Sequence, residues 1–426
     1  MKAEVSLVPD IYSRIAKYMG PLGQYADIAE GYYIFPELEG PAMNRMFFNG
    51  KEVICWSINN YLGIAEEEDI KKTDIANVTT YGMSYPMGAR LMTGETVQHK
   101  ELEQELALFV QKEAACLLNY GYQGMISCID ALVSRHDIIL YDAESHACIL
   151  DGVRMHTGKV FSFEHNNVEH LEKRLIRASE LATAQTGGIL VITEGVFGMR
   201  GDQGKLKEIT DLKEKYSFRL LVDDAHGFGT LGENGKGTGV EQGVQDKIDI
   251  YFSTFAKSIA LIGGFVAGEP GVIQYLKYNM RSQMFAKSLP LVFVLSARKR
   301  LEMIAEHPER KDQLWYNVHQ LQQGLKKAGF DIGITNSPVT PVYMQGTPEE
   351  ASQLVYDLRE NYGIFCSMVL YPMIPKGEII LRLIPTSLHT KKDIEDTLTA
   401  FNQVLSKLRS GFYNNTVFNP VLTEKN

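Results

Sequence analysis

A chain of 426 residues is too long for one small core and is expected to fold as two or three packed subdomains. Its formal net charge of −9 offers no long basic face to phosphates and argues against a nucleic-acid partner, and no apolar run reaches the ~18 residues that a membrane-spanning helix requires. The five cysteines (Cys55, Cys116, Cys128, Cys148 and Cys366) are odd in number, show no CxxC metal spacing and read as buried reduced thiols, so no metal is expected.

The N-terminus lacks the uninterrupted apolar stretch and small-residue cleavage site of a signal peptide, which points to the cytoplasm. Residues 1–55, rich in aromatics and glycine, read as an arm or a strand pair. The spacing of Leu102, Leu106, Phe109 and Val110 predicts a helix over 97–112. Short β-branched or apolar runs predict strands at 115–119, 137–141, 188–193, 219–223 and 249–254, and a further helix is expected at 203–216. This alternation implies βαβ units around a mostly parallel sheet. Beyond residue 300 the pattern changes to helices at 301–306, 311–328 and 391–410 around a few strands. The expected division is therefore an arm (1–55), a large α/β domain (56–300) and a smaller C-terminal α/β domain (301–426).

Ligands of open α/β sheets bind beyond the carboxyl ends of the strands, and here strand after strand runs into reactive groups. The strand at 137–141 leads to Asp142, Glu144, Ser145 and His146, that at 188–193 to Glu194, that at 219–222 to Asp223, Asp224 and His226, and that at 249–254 to Lys257. These groups suit pyridoxal 5'-phosphate (PLP), which needs a lysine amine, a carboxylate for its pyridine nitrogen and anchors for its phosphate. Lys257 can supply the amine and Asp223 the buried carboxylate. His226 can bond the ring's phenolic oxygen, and His146 can stack on its face. Gly121 and Tyr122, opening an apolar helix, can present backbone N–H groups to the phosphate. Taken singly, a lysine after a strand is usually solvated, and D-D-A-H could cap a helix or form half of a metal site. Order and spacing together carry the reading.

The ordered series N-N-Y-L-G (59–63), G-A-R-L-M-T-G (88–94), D-A-E-S-H-A-C-I-L-D-G (142–152), T-E-G-V-F-G-M-R-G-D (193–202), V-D-D-A-H-G-F-G (222–229), T-F-A-K-S (254–258), G-G-F-V-A-G (263–268) and L-R-L-I-P-T-S-L-H-T (381–390) resembles the α-oxoamine synthases. The resemblance spans roughly residues 45–405. These are PLP enzymes of fold type I, the aspartate-aminotransferase-like fold, and the wording at 261–268 and 280–288 is most similar to bacterial serine palmitoyltransferase-like members. The resemblance implies Lys257 as the Schiff-base lysine and proton shuttle, Asp223 on the pyridine nitrogen, His226 on the phenolic oxygen, His146 on the ring face and Thr254 at the phosphate. It also implies Arg382 on the amino-acid carboxylate, a task suited to a bidentate guanidinium, and Asn59 in the substrate site. Family members are homodimers with active sites at the interface. The segment that reaches a neighbouring subunit's phosphate reads F-A-K-S here, so Lys287 and Ser288 are expected to hold it, with Lys287 in place of a hydroxyl.

The implied reaction is a Claisen-type, usually decarboxylative, condensation of an amino acid with an acyl thioester. Serine or cysteate is the favoured amino acid, and a long-chain donor would give a 3-keto sphingoid-type base. Three departures bear on the substrate: Gly198 replaces a serine, Met125 an asparagine, and Met83, Tyr85, Pro86 and Met87 line an otherwise glycine-rich loop. The donor is acyl-CoA or an acyl carrier protein, which the basic run Arg298, Lys299 and Arg300 could dock if it is not simply a solvated helix face. Peripheral contact with a membrane stays open. The alternatives are 8-amino-7-oxononanoate synthase or 2-amino-3-ketobutyrate CoA ligase with a short-chain donor, a PLP aminotransferase, and a non-catalytic partner subunit. Retention of Lys257, Asp223, His226 and His146 argues against the last.

Overall fold

The computed structural model describes residues 10–23 and 25–414. Its centre is a seven-stranded sheet made of β1 (Ala114–Leu118), β2 (Ile138–Asp142), β3 (Lys159–Phe163), β4 (Ile189–Glu194), β5 (Arg219–Asp223), β6 (Ile250–Thr254) and β7 (Gly264–Gly268). The strand order is β1-β7-β6-β5-β4-β2-β3. Neighbours from β3 to β6 pair in parallel, and β7 runs antiparallel to both β6 and β1. The expected mostly parallel sheet is present.

Alternate strand residues point to opposite faces, and both faces are covered. Leu140, Val191, Val222 and Phe265 enter one apolar cluster, while Ile139, Leu190, Leu221 and Val266 enter another. Two-sided burial explains why these strands read as near-continuous apolar runs.

The expected strands lie within a residue of the observed ones. β3 and β7 were not anticipated: β3 carries Lys159 and partly exposed residues, and β7 begins and ends in glycine. Helix α1 (Val97–Phe109) starts where the Thr96 side chain accepts the His99 N–H and stops short of the expected residue 112, because Gln111 takes φ 55°. The stretch at 203–216 holds only a short helix, Leu206–Asp211, continued by a 3-10 turn, and the helix expected at 301–306 begins earlier, as Leu291–Glu306.

The N-terminal hairpin (Arg45–Phe48 and Lys51–Cys55) joins a small sheet through parallel pairing with Ile364–Phe365. A second small sheet pairs Ile380–Leu383 with Thr340–Tyr343 and Ser367–Val369, all antiparallel. Helices Glu309–Ala328, Pro348–Tyr362 and Lys391–Arg409 pack on these strands around Leu321, Leu358 and Phe401. Among the described residues, no helix is long and apolar enough to cross a membrane.

Candidate active site

The carboxyl ends of β1, β2, β4, β5 and β6 converge on a cleft of about 690 Å³. Lys257, Asp223, His226, His146, Thr254, Gly121, Tyr122, Asn59 and Arg382 all line it. Gly121, Tyr122, His146, Asp223, His226, Thr254 and Lys257 meet there because each ends or follows a strand of the central sheet, while Asn59 and Arg382 are brought in by the two smaller sheets.

Charge on the cleft floor is set by burial. Asp223 is 5% exposed and accepts the Ala225 N–H at 3.1 Å. Burial pushes its carboxyl above the usual range, and the Lys257 and His146 charges oppose that rise. Glu194, also buried, is pushed well above the carboxylate range by burial and then by the Asp223 charge. Two adjacent carboxylates in one dry site favour a single negative charge between them. Burial and the Asp223 charge favour the protonated form of Glu194, whereas the Lys257 charge, second only to burial at Asp223, favours the ionised form there. Burial draws the Lys257 amine below its ordinary value, against the pull of Asp223 and Glu194. Burial likewise lowers His146, and it lowers His226 well below the ordinary histidine value, the Lys257 charge adding to the effect, so both rings are neutral.

At the other wall, helix α2 (Gly121–Leu132) begins without a side-chain cap, leaving backbone N–H groups free at its N-terminus. Gly121 packs so closely on Thr254 that a Cβ there would lie 2.8 Å from the threonine side chain. That approach holds the helix terminus beside Thr254, whose hydroxyl donates to the Gly263 carbonyl at 3.1 Å.

Arg382 is buried on the small antiparallel sheet and, among the described residues, spends only its Nε on protein, donating to the Gly198 carbonyl at 2.7 Å. Asn59 Oδ1 and Ser145 Oγ line the same cleft, buried and without hydrogen-bond partners among the described residues. A free helix N-terminus, an amine beside a buried carboxylate and unsatisfied polar atoms together fit PLP and an amino acid, which would supply the missing partners.

Several contributors were not singled out from sequence. The Tyr61 hydroxyl lies 2.8 Å from His226 Nδ1, and burial raises that phenol to about 12, so it keeps its proton. Gly198, which the sequence did mark as a departure, sits against the other side of that imidazole, where a Cβ would come within 2.3 Å of Nε2. Arg200 forms ion pairs with Glu144 and with Glu378 at 3.1 Å, joining the β2 and β4 loops to the segment after Tyr371, which forms one lip of the cleft. Behind the floor, His165 bridges Asp142 at 3.0 Å and Asp202 at 2.9 Å, and its ring packs edge-on to Phe197. Burial opposes its charge, but hydrogen bonds to the two carboxylates outweigh that and push it up to about 10. Tyr61, Gly198 and Arg200 stand inside quoted motifs, which was the available signal, whereas His165 lies outside all of them.

Other expectations land elsewhere. Lys287 is exposed, Ser288 is buried with its N–H on the Gly88 carbonyl, and neither lines the cleft of this chain. Met83, Tyr85 and Met87 are exposed and also lie outside its lining. The run at 298–300 is largely neutralised: Arg298 pairs with Glu101 and Glu105, Lys299 with Glu302, and Arg300 with Asp74. It is not the free basic surface that an acidic carrier would need. All five cysteines are free and buried, but Cys148 also lines the cleft.

A model of the family "Aminotransferase class I and II" matches residues 51–401. The chain belongs to that family. Within it, a cysteate-C-fatty acyltransferase of Capnocytophaga ochracea is 59% identical over 404 residues, covering 95% of this chain and 96% of the relative. A serine palmitoyltransferase of Sphingobacterium spiritivorum is 35% identical over 377 residues, covering 88% and 92%. Among solved structures, a serine palmitoyltransferase of S. paucimobilis superposes with a TM-score of 0.87 at 28% identity, covering 94% of this chain and all of that one. The resemblance to the α-oxoamine synthases and the fold-type-I expectation are borne out.

Proposed function

We propose that this chain condenses cysteate with a long-chain fatty acyl thioester, releasing the thiol and carbon dioxide to leave a 3-keto sulfonated base. It is a PLP-dependent C-acyltransferase that joins an amino acid to a fatty acyl donor. Cysteate is the finer reading, supported by 59% identity to a cysteate-C-fatty acyltransferase across almost the whole of both chains. The observation that carries the chemistry is the buried Lys257–Asp223 arrangement at the carboxyl edge of the sheet, facing the uncapped terminus of α2.

Lys257, Asp223, His226, His146, Thr254 and the N–H groups of Gly121 and Tyr122 would hold PLP. When bound, it supplies an electron sink that lets a proton leave the α-carbon of the amino acid. Asp223, a carboxylate on the buried floor, would keep a proton on the ring nitrogen. Arg382, with its terminal nitrogens free, holds the amino-acid carboxylate. Lys257 takes the α-proton, a role that its burial-lowered basicity suits. The α-carbon then bonds to the acyl carbonyl, the thiol departs and the carboxyl leaves as carbon dioxide. His146 sits on the cleft wall where it can donate to the acyl oxygen.

A homodimer belongs to the same reading, with Lys287 and Ser288 serving the neighbouring subunit's phosphate. Lys287, exposed and away from this chain's own cleft, supports it, whereas Ser288 is 2% exposed and would have to turn outward to take part. The division at residues 55 and 300 is also part of this reading, supported by the confinement of the seven-stranded sheet to residues 114–268.

The test is a visible spectrum of the PLP-loaded protein titrated with cysteate, serine, glycine and alanine, followed by thiol release from palmitoyl thioesters of CoA and of acyl carrier protein. Saturable change with cysteate at the lowest concentration, and thiol release that requires Lys257, are expected. Preference for serine would overturn the substrate. The absence of any PLP band would overturn the enzyme reading.

A further inference from the structure

We infer that Cys148 is a positioning residue of this active site: its backbone amide holds His146 with the ring proton on Nε2, and its thiol, packed against that ring, donates to Asp223. The consequence for catalysis rests on the proposed function, whereas the geometry belongs to the chain alone.

His146 is the N-cap of helix α3 (Ala147–Met155), and the Cys148 N–H donates to its Nδ1 at 3.3 Å. An amide nitrogen can only donate, so Nδ1 accepts with its lone pair, and the neutral ring must carry its proton on Nε2. Cys148 Sγ lies 3.0 Å from the same Nδ1 and 3.9 Å from Asp223 Oδ2. Burial, and then the Asp223 charge, hold the thiol in its protonated form. With the Nδ1 lone pair already engaged, the S–H donates to the carboxylate. Glu194 Oε1 accepts the backbone N–H of His146 itself, which fixes the pitch of the residue. One side of the imidazole is therefore locked to its own helix, and Nε2–H, on the opposite side, is left as the donor that a substrate carbonyl can use. The thiol also adds a hydrogen bond to the carboxylate that must stay charged beneath the cofactor.

Histidine-selective ¹⁵N NMR of the full chain, with and without PLP, reads the tautomer directly, the His146 signal being assigned by its loss in His146→Gln. An unprotonated Nδ1 and a protonated Nε2 at neutral pH, before PLP is added, are expected. A proton on Nδ1, or a charged ring, overturns the inference. Cys148→Ala should weaken PLP binding about tenfold, the scale of a hydrogen bond to a charged group, and Cys148→Ser, which keeps a donor, should recover most of it. Equal losses in the two variants refute the thiol's part. If wild-type protein takes up no PLP, the functional reading fails instead, while the unloaded spectrum still decides the tautomer.

Discussion

Substituting His165 by glutamine removes a charge held between Asp142 and Asp202 and should cost stability in a pH-dependent way. The ring is 16% exposed, and its folded-state value is about 10 against an ordinary 6.5. A raised histidine value gives stability that is fully present below the unfolded value and lost as pH rises through the folded one. The linkage relation gives about 5 kcal/mol below pH 6, about 4 at pH 7, about 2 at pH 8.5 and less than about 0.5 at pH 10. Glutamine is neutral throughout, so groups common to both proteins cancel in the difference. Urea unfolding of wild type and His165→Gln at pH 7, 8.5 and 10, at one protein concentration, should show the gap closing by about 3–4 kcal/mol. A gap independent of pH would refute the charge-pairing account and leave only shape. Activity should fall with stability, because Asp142 and Asp202 anchor the loops that carry His146 and Gly198.

Gly198→Ala places a methyl 2.3 Å from His226 Nε2 and must displace that ring. A loss of tenfold or more in kcat/KM, with PLP binding also weakened, is expected from steady-state kinetics and absorbance titration. Arg382→Lys keeps the charge but loses the fork and the Nε bond to the Gly198 carbonyl. It should raise the KM for the amino acid about 10- to 100-fold and leave the KM for the acyl donor unchanged. Glu194→Gln replaces a protonated acid by a neutral isostere that still accepts the His146 N–H, so kcat should stay within about threefold of wild type. A loss of 100-fold or more would mean that Glu194 is ionised in the working enzyme.

The family resemblance was legible because each motif is local. A strand that ends in Asp223 or just before Lys257 carries its chemistry a few residues from the turn, and a parallel sheet brings all such ends to one edge. That regularity also placed the main strands within a residue of their observed bounds. The reading was weakest where pairing is non-local. No periodicity announces that β7 inserts antiparallel between β1 and β6, or that the hairpin at 45–55 pairs with residues 364–365. The charge run at 298–300 looked free because its partners, Asp74, Glu101 and Glu105, lie about 200 residues earlier on helices that pack beside it only in the fold.

The amino-acid sequence alone was enough for the family: the order of the motifs, and with it which lysine and which acids to consider for the chemistry. The tertiary structure decided how those groups are held. Tyr61 on His226, Cys148 between His146 and Asp223, Glu194 on the His146 backbone and His165 between two aspartates are contacts that depend on which strands become neighbours. Their protonation states follow from burial, which is a property of the packed sheet and of no single residue within it.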